Sequence, residues 1–356
     1  MRGVRLPSKI RPLAIGAATA VALAAGWAGW WTVAGHILRG SLDAWAVAER
    51  NQGGTVGIGS LELSGFPLTV RATITDIAVS RRDGTAWTGP SLVVEAPLWA
   101  PASLRFRLGG RHGLRLPEGY EASSASAGSG EGSIRLGGAA GFTEAHVALK
   151  EVRLVPAAGD AAPATAARLD LTVSAPGRAV SSHTETGLMV TLAADRLDVP
   201  LAGSLPLGPA IESLSLTARV LGAPPRIEPA SLAAWSHDGG TVELDTASLR
   251  WGPLALGAEG TLALDRDLQP MGALTAEITG FAQAIDTLVA AGWVKPKQGQ
   301  TAKAVLIGLS PRREGEPLAA NPTAKLPISL HDRYVHLGPF RLAPLPAVIW
   351  AAPAAG

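Results

Sequence analysis

From Gly57 onward, apolar residues recur at every second position, and that period commits most of the chain to β-strands. The longest run is Leu254, Leu256, Ala258, Gly260, Leu262 and Leu264. Leu214, Leu216, Ala218 and Val220 form another, and Phe66, Leu68, Val70, Ala72 and Ile74 alternate with Pro67, Thr69, Arg71 and Thr73. Shorter alternations occupy 92–98, 104–108, 169–173, 190–192 and 326–330. The intervening positions carry Ser, Thr, Arg, Asp or Glu, the pattern of antiparallel strands with one buried and one solvated face. Asp83-Gly84, Gly109-Gly110, Pro224-Pro225 and Asp238-Gly239-Gly240 separate the runs, and with 42 Gly and 27 Pro the chain has turns for many short strands.

Three stripes break the alternation at helical spacing. One follows Pro229 at 231–236. Phe281, Ile285, Leu288 and Val289 form the second, closed by Gly292, and Val305, Leu306 and Leu309 the third, before Pro311. The segment 123–141 is rich in Gly, Ser and Ala and reads either as a flexible loop or as thin polar strands at a sheet edge. The expected fold class is mainly β (a β-rich α+β fold): an N-terminal transmembrane helix, then a large curved antiparallel sheet with a few C-terminal helices.

The N-terminus carries a different signal. No charged residue stands between Arg11 and Arg39, and an apolar stretch of roughly 20 residues spans a bilayer as a helix. Arg2, Arg5, Lys9 and Arg11 precede it with no acid among them, so the positive-inside rule leaves the N-terminus in the cytoplasm. Trp27, Trp30 and Trp31 gather at the far end, where indoles favour the headgroup zone. A cleaved signal peptide ending near Ala22, Ala24 or Ala25 is the rival reading, although no polar break follows those alanines. The expected organisation is a basic cytoplasmic tail over 1–11, a span over 12–34, an amphipathic juxtamembrane helix over 35–52 and a periplasmic β-rich domain over 53–356. Trp31, Leu38, Leu42 and Trp45 mark the apolar side of that juxtamembrane helix, which would lie on lipid headgroups or on the following domain. The expected location is the inner membrane, single-pass, with the C-terminal domain in the periplasm.

Charge and composition narrow the function classes. The formal charge is +2, but without the four basic residues of the tail 27 Lys+Arg face 29 Asp+Glu, so the rest of the chain is about −2. Dispersed basic residues without interleaved aromatics exclude a nucleic-acid surface. There is no cysteine, hence no disulfide, thiolate metal site or lipidated cysteine. Neither GxxxxGK nor an elbow-type GxSxG occurs; Gly128-Ser129-Gly130 is low-complexity sequence. His331 and His336 are the closest histidine pair and share a side only if Asp332-Arg333 is a turn; two hydrated surface rings are the expectation. Glu243 and Asp245 share a strand face, as acid pairs on polar sheet faces routinely do. Asp195, Asp198 and Asp265 read as turn residues. No catalytic, metal or cofactor residue is assigned and no cofactor is expected.

Several segments taken in order resemble an uncharacterised family of proteobacterial envelope proteins, a domain of unknown function behind an N-terminal anchor. They are the anchor with Trp45, Ser64-Gly65-Phe66-Pro67-Leu68, and Trp251-Gly252-Pro253-Leu254. Gly260-Thr261-Leu262-Ala263-Leu264-Asp265 with Pro270 and Gly272 follows, then Leu337-Gly338-Pro339-Phe340 with Leu345-Pro346. The chain departs from that pattern at His331-Asp332-Arg333, where an Asp-Gly type of turn is expected. More distantly, long strands behind one anchor are similar in pattern to the AsmA-like envelope proteins, whose sheets are thought to carry lipid. The resemblance implies no known activity.

The expected role is therefore noncatalytic: binding or shielding a lipid-like molecule along an apolar sheet face that includes Leu214, Leu216, Leu254, Leu256, Leu262 and Leu264. A structural partner that docks another envelope protein along a sheet edge is the alternative. A hydrolase using scattered acids is the minor one.

Overall fold

A computed structural model describes residues 10–117, 122–157, 162–199, 206–208, 210–226, 228–310, 322–337, 340–345, 347–348 and 350; within these, the side chains of 10–21, 24, 122, 337, 340 and 342–343 are not described. The chain opens with helix α1 (Ile10–Asn51), 42 residues long and so about 63 Å at 1.5 Å per residue. Strands β1 (Thr55–Gly57), β2 (Ser60–Ser64), β3 (Thr69–Ser80), β4 (Ala86–Pro97), β5 (Ser103–Gly109) and β6 (His112–Arg115) follow. Next come β7 (Ala122–Ala127), β8 (Ser129–Leu136), β9 (Phe142–Pro156), β10 (Ala164–Ser174), β11 (Thr186–Asp198) and β12 (Ile211–Leu221). Helix α2 (Pro229–His237) precedes β13 (Val242–Trp251), β14 (Leu254–Leu264) and β15 (Pro270–Thr279). Helices α3 (Phe281–Ala290) and α4 (Pro296–Gly308) then lead to β16 (Ala324–His331), β17 (Tyr334–Leu337) and β18 (Phe340–Pro344).

All 18 strands belong to one sheet, and it is a meander. Strands β1 and β2 keep a single register along β3 and act as one edge strand interrupted at Ile58-Gly59. Strands β5 and β6 pair with successive stretches of β4, and β7 and β8 with successive stretches of β9. From β9 to β18 each strand pairs antiparallel with the next. Up-and-down connectivity is what short turns between alternating runs produce. The mainly β, antiparallel expectation holds.

Two clusters of buried side chains sit at the two flanks of the sheet. Ile74, Ile77 and Val79 pack with Leu42, Leu61, Trp87 and Leu92 beside α1. Phe281, Ala324 and Leu326 pack with Ile278, Ile285, Leu306 and Ile307 beneath α3 and α4. Among the described residues no large side chain is fully buried. The accessible surface is 22027 Å², against roughly 13,500 Å² for a compact monomer of this mass. This is a single sheet with helices at its margins.

Helix α1 lies along the β1–β2 edge. The touching stripe is Trp31, Gly35, Leu38, Leu42, Ala46 and Glu49, at helical spacing. Gly35 is buried where a Cβ would stand 3.3 Å from Leu63 Cδ1. Trp27 Nε1 donates to the Pro67 carbonyl at 2.6 Å and Trp31 Nε1 to that of Thr69 at 2.7 Å. Farther along, Arg39 and Arg50 donate to the Leu61 and Val56 carbonyls, and Glu49 pairs with Arg81 at 3.1 Å. Of the residues read as the helix's apolar side, Trp45 falls off this stripe and is exposed. Among the described residues no helix is long and apolar enough to cross a membrane; in the expected span over 12–34, the side chains of 12–21 and 24 lie outside the described ones.

Three other expectations need correction. Phe66 and Leu68 are not strand residues: Gly65, at φ 95°, turns the chain, β3 begins at Thr69, and both side chains are exposed. Asp195 and Asp198 lie within β11, with Asp195 opposite Arg168, whereas Asp265 does hold a turn by accepting from the backbone N–H groups of Asp267 and Gln269. The segment 123–141 does hold strands, as one of its two readings has it, but not at an edge: β7 and β8 sit inside the sheet, between β5–β6 and β9. Its small residues have a reason, since a Cβ on Gly130 would meet Leu149 Cδ2 at 2.7 Å and Leu108 Cδ1 at 2.9 Å.

Candidate functional site

Directly opposed residues in a sheet share a face, so the registers identify which side chains lie together. Starting at Ile74, the row runs through Leu92, Leu108, Gly130, Leu149, Leu169, Ala194, Leu214, Leu249, Leu256 and Ile278 to Ala324. Every side chain in it is hydrocarbon. The next row on the same face begins at Ala72 and includes Val94, Phe106, Val147, Leu171, Leu192, Leu216, Ala258 and Leu326. The apolar surface is thus continuous from β3 to β16.

Leu214, Leu216, Leu254, Leu256, Leu262 and Leu264 all stand on this face. Leu214 joins Leu256 through Leu249, Leu254 opposes Trp251, Leu262 opposes Val242, and Leu264 opposes Pro270. All six are half-buried. That state fits strands whose neighbours shield one another with no second layer above them, because large apolar side chains where a helix covers the sheet fall nearly to zero exposure, as Phe281 of α3 and Leu326 do. The small Ala194 reaches 2 % exposure between its leucine neighbours alone.

At one end the face is roofed. Leu188, Val220, Val242 and Leu262 form a cross-strand row, and α2 lays Leu232 and Trp235 over it while Trp350 closes the side. The resulting cavity holds about 340 Å³ and also includes Leu264, Pro224 and Pro270. Its two indoles spend their N–H groups elsewhere, Trp235 on the Leu221 carbonyl and Trp350 on that of Leu268, both at 2.8 Å. Gln269 fixes the C-terminal strap by donating to the Val348 carbonyl and accepting from its N–H. What faces the cavity is therefore hydrocarbon and ring surface.

The opposite face is polar and tied by ion pairs between strands. Glu95 bridges Arg71 and Arg107, Arg135 meets Glu144 at 3.0 Å, and Lys325 pairs with Glu277. Arg168 binds Asp170, whose carboxyl is held below its ordinary value first by hydrogen bonding from Arg168. Arg219 grips Asp245 through both carboxylate oxygens, and this holds the Asp245 carboxyl low in the same way. Glu243 accepts from the Thr261 hydroxyl. A broad depression of about 630 Å³ gathers Glu243, Asp245, Glu259 and Thr275 with no histidine. A carboxylate locked to a guanidinium is a poor general base, so this acid pair holds structure.

The histidines at the last hairpin do come together, but not as two hydrated surface rings: His331 is exposed and His336 is buried. Asp332 and Arg333 both have positive φ and form a two-residue turn, and the His331 and His336 rings stack with centroids 3.8 Å apart. Parallel rings do not converge on one ion, and no group of three His, Asp or Glu residues among the described ones fits a metal.

Of the anchor residues, Arg11 has no described side chain, Trp27 and Trp31 bond to the β2–β3 turn and the start of β3, and Trp30 faces outward. Sequence reasoning missed Leu188, Trp235 and Trp350, which come together only through pairings and hydrogen bonds distant in sequence.

A long antiparallel meander behind an N-terminal helix defines the class. The chain belongs to the family described as an uncharacterised protein conserved in bacteria (DUF2125), whose model matches residues 31–346. No curated protein and no solved structure matches it.

Proposed function

We propose that this protein is a noncatalytic, membrane-anchored envelope protein that shields the hydrocarbon of a lipid-like molecule along its apolar sheet face. The observation that carries the reading is the unbroken cross-strand row from Ile74 to Ala324, in which the leucines from Leu92 to Leu256 are half-buried while the small Ala194 is shielded between Leu169 and Leu214. Apolar surface beyond a few hundred Å² is rarely left bare on a monomer, and a ligand with hydrocarbon chains would cover it. The cavity under α2 and Trp350 would take a chain end. Helix α1 fits the role of tether, with its N-terminal part crossing the inner membrane and the sheet in the periplasm.

Protein purified from membranes in mild detergent should carry bound lipid, seen by mass spectrometry of the intact complex and of its organic extract. Repeated absence of co-purifying lipid would end the reading. Strand addition by an envelope partner is less well supported. The β1–β2 edge lies against α1, whose Arg39 and Arg50 already reach its carbonyls. The other edge, β18, is five residues long and carries Arg341 and a terminal Pro344.

A further inference from the structure

Three turns meet at the corner of the sheet beside α1. The β2–β3 turn contains Phe66 and Leu68, the β4–β5 turn contains Trp99, and the β8–β9 turn follows Leu136. Hydrogen bonds tie them together: Leu98 N–H to the Leu68 carbonyl at 3.1 Å and Leu136 N–H to that of Ala102 at 2.8 Å. Helix α1 joins the same corner through Trp27 and Trp31, and its N-terminal part continues past it.

The side chains at this corner face solvent despite being large and apolar. Trp99 is 66 % exposed, Leu68 57 %, Phe66 56 %, and Trp30 and Leu136 each 46 %. The segments 64–70, 96–104 and 136–143 contain no charged residue. The other turns at this end of the sheet, and those at the opposite end of the same strands, are charged. At the opposite end of the same strands stand Arg81, Arg82, Asp83 and Arg111. At the same end, farther from α1, the turns carry Arg178 and Glu185, then Asp265, Arg266 and Asp267, then Asp332 and Arg333. At this end of the sheet an uncharged aromatic cap is therefore confined to the corner from which the helix departs. The uncharged Gly252-Pro253 turn lies at the other end, and its Trp251 is part-buried and hydrogen-bonded to the Gly208 carbonyl. Trp side chains partition to the headgroup boundary, and apolar loop tips anchor domains there.

We infer that this corner is a second membrane contact: the Phe66–Leu68 and Trp99 turns dip into the bilayer surface that α1 enters. The contact fixes the tilt of the sheet and sets one end of the apolar face against the lipid. It rests on the reading of α1 as a tether but not on lipid being carried by the sheet.

The chain lacks cysteine, so single nitroxide labels can be placed cleanly. The full chain is reconstituted into phosphatidylethanolamine–phosphatidylglycerol vesicles as L23C, L68C, W99C and R82C, and accessibility to oxygen and to a water-soluble nickel chelate is compared by power saturation. Labels at 23, 68 and 99 should favour oxygen, while the label at 82 favours the chelate. Lipid-type accessibility at 23 with water-type at 68 and 99 overturns the proposal and leaves the tether standing. Water-type accessibility at all four positions removes both. As a second measurement on the unlabelled chain, Trp99→Ser should reduce the quenching of tryptophan fluorescence by brominated lipid without changing the circular dichroism. Unchanged quenching also counts against the contact. Loss of bound lipid from the sheet face would leave all these readings unaltered.

Discussion

Replacing Leu256 by Arg separates an open apolar face from a closed core. Leu256 lies between Leu249 and Ile278 in the central row and is only half-buried. Burying a whole leucine contributes about 1.5–3 kcal/mol, so losing a half-buried one costs about 1 kcal/mol. On an open face the long arginine stem lies along its apolar neighbours and brings the guanidinium to water, adding little further cost. In a closed core the same charge would be stranded, at a cost of about 3–5 kcal/mol as for a broken buried ion pair. For a domain of this size 1 kcal/mol moves the Tm by about 2–4 °C. Thermal unfolding followed by circular dichroism should therefore shift by only a few degrees for Leu256→Arg, while co-purifying lipid falls severalfold. A fall in Tm beyond about 10 °C, or failure to fold, would refute the argument that this face is uncovered.

Three further outcomes follow from other parts of the fold. Phe281→Ala removes the centre of the α3–β16 cluster, where Phe281 is 2 % exposed, and should destabilise the protein by about 3–5 kcal/mol, with early proteolysis between α3 and β16. Gly35→Ala should be tolerated, because the Leu63 methyl 3.3 Å away can shift. Gly35→Ile should lift α1 from the sheet, seen as faster hydrogen exchange of β2 and β3 amides. The Asp245 carboxyl is held below its ordinary value of 3.8 by hydrogen bonds from Arg219. Its stabilisation is therefore complete above that value and is lost as the pH falls through the lower folded-state value. Asp245→Asn should remove that part of the acid transition, and added salt should mimic the change in wild type, since the pair is partly solvated.

The apolar face was legible wherever strands carry branched side chains on one side and polar ones on the other, as Leu254–Leu264 does. It was illegible at β7 and β8 because β7 contains only serine and alanine and the face positions of β8 include glycine, which has no side chain to report a period; yet Gly130 and Gly132 belong to the face and are small because Leu108, Leu149 and Phe106 fill the space above them. Phe66 and Leu68 misled for the opposite reason. Their spacing continues that of Val70 and Ala72, but the positive φ of Gly65 and the turn that follows take them out of the ladder. The roofed cavity depends on Trp350 reaching the β14–β15 turn through Gln269, a contact spanning 79 residues. No local pattern encodes a pairing of that kind. The two-residue turn at Asp332-Arg333 was legible as the condition for His331 and His336 to share a side, but not the stacking of the rings or the burial of His336, which takes it out of the hydrated surface expected for it.

The most direct measurement is photocrosslinking in living cells from a benzoylphenylalanine placed at Leu216, on the apolar face, or at its neighbour Thr217, on the polar one. The two positions share one strand and differ only in the side of the sheet they occupy. A lipid adduct from position 216 and none from 217 is the predicted result. Equal labelling from both sides, or a protein adduct alone from position 216, would contradict a hydrocarbon-covering sheet.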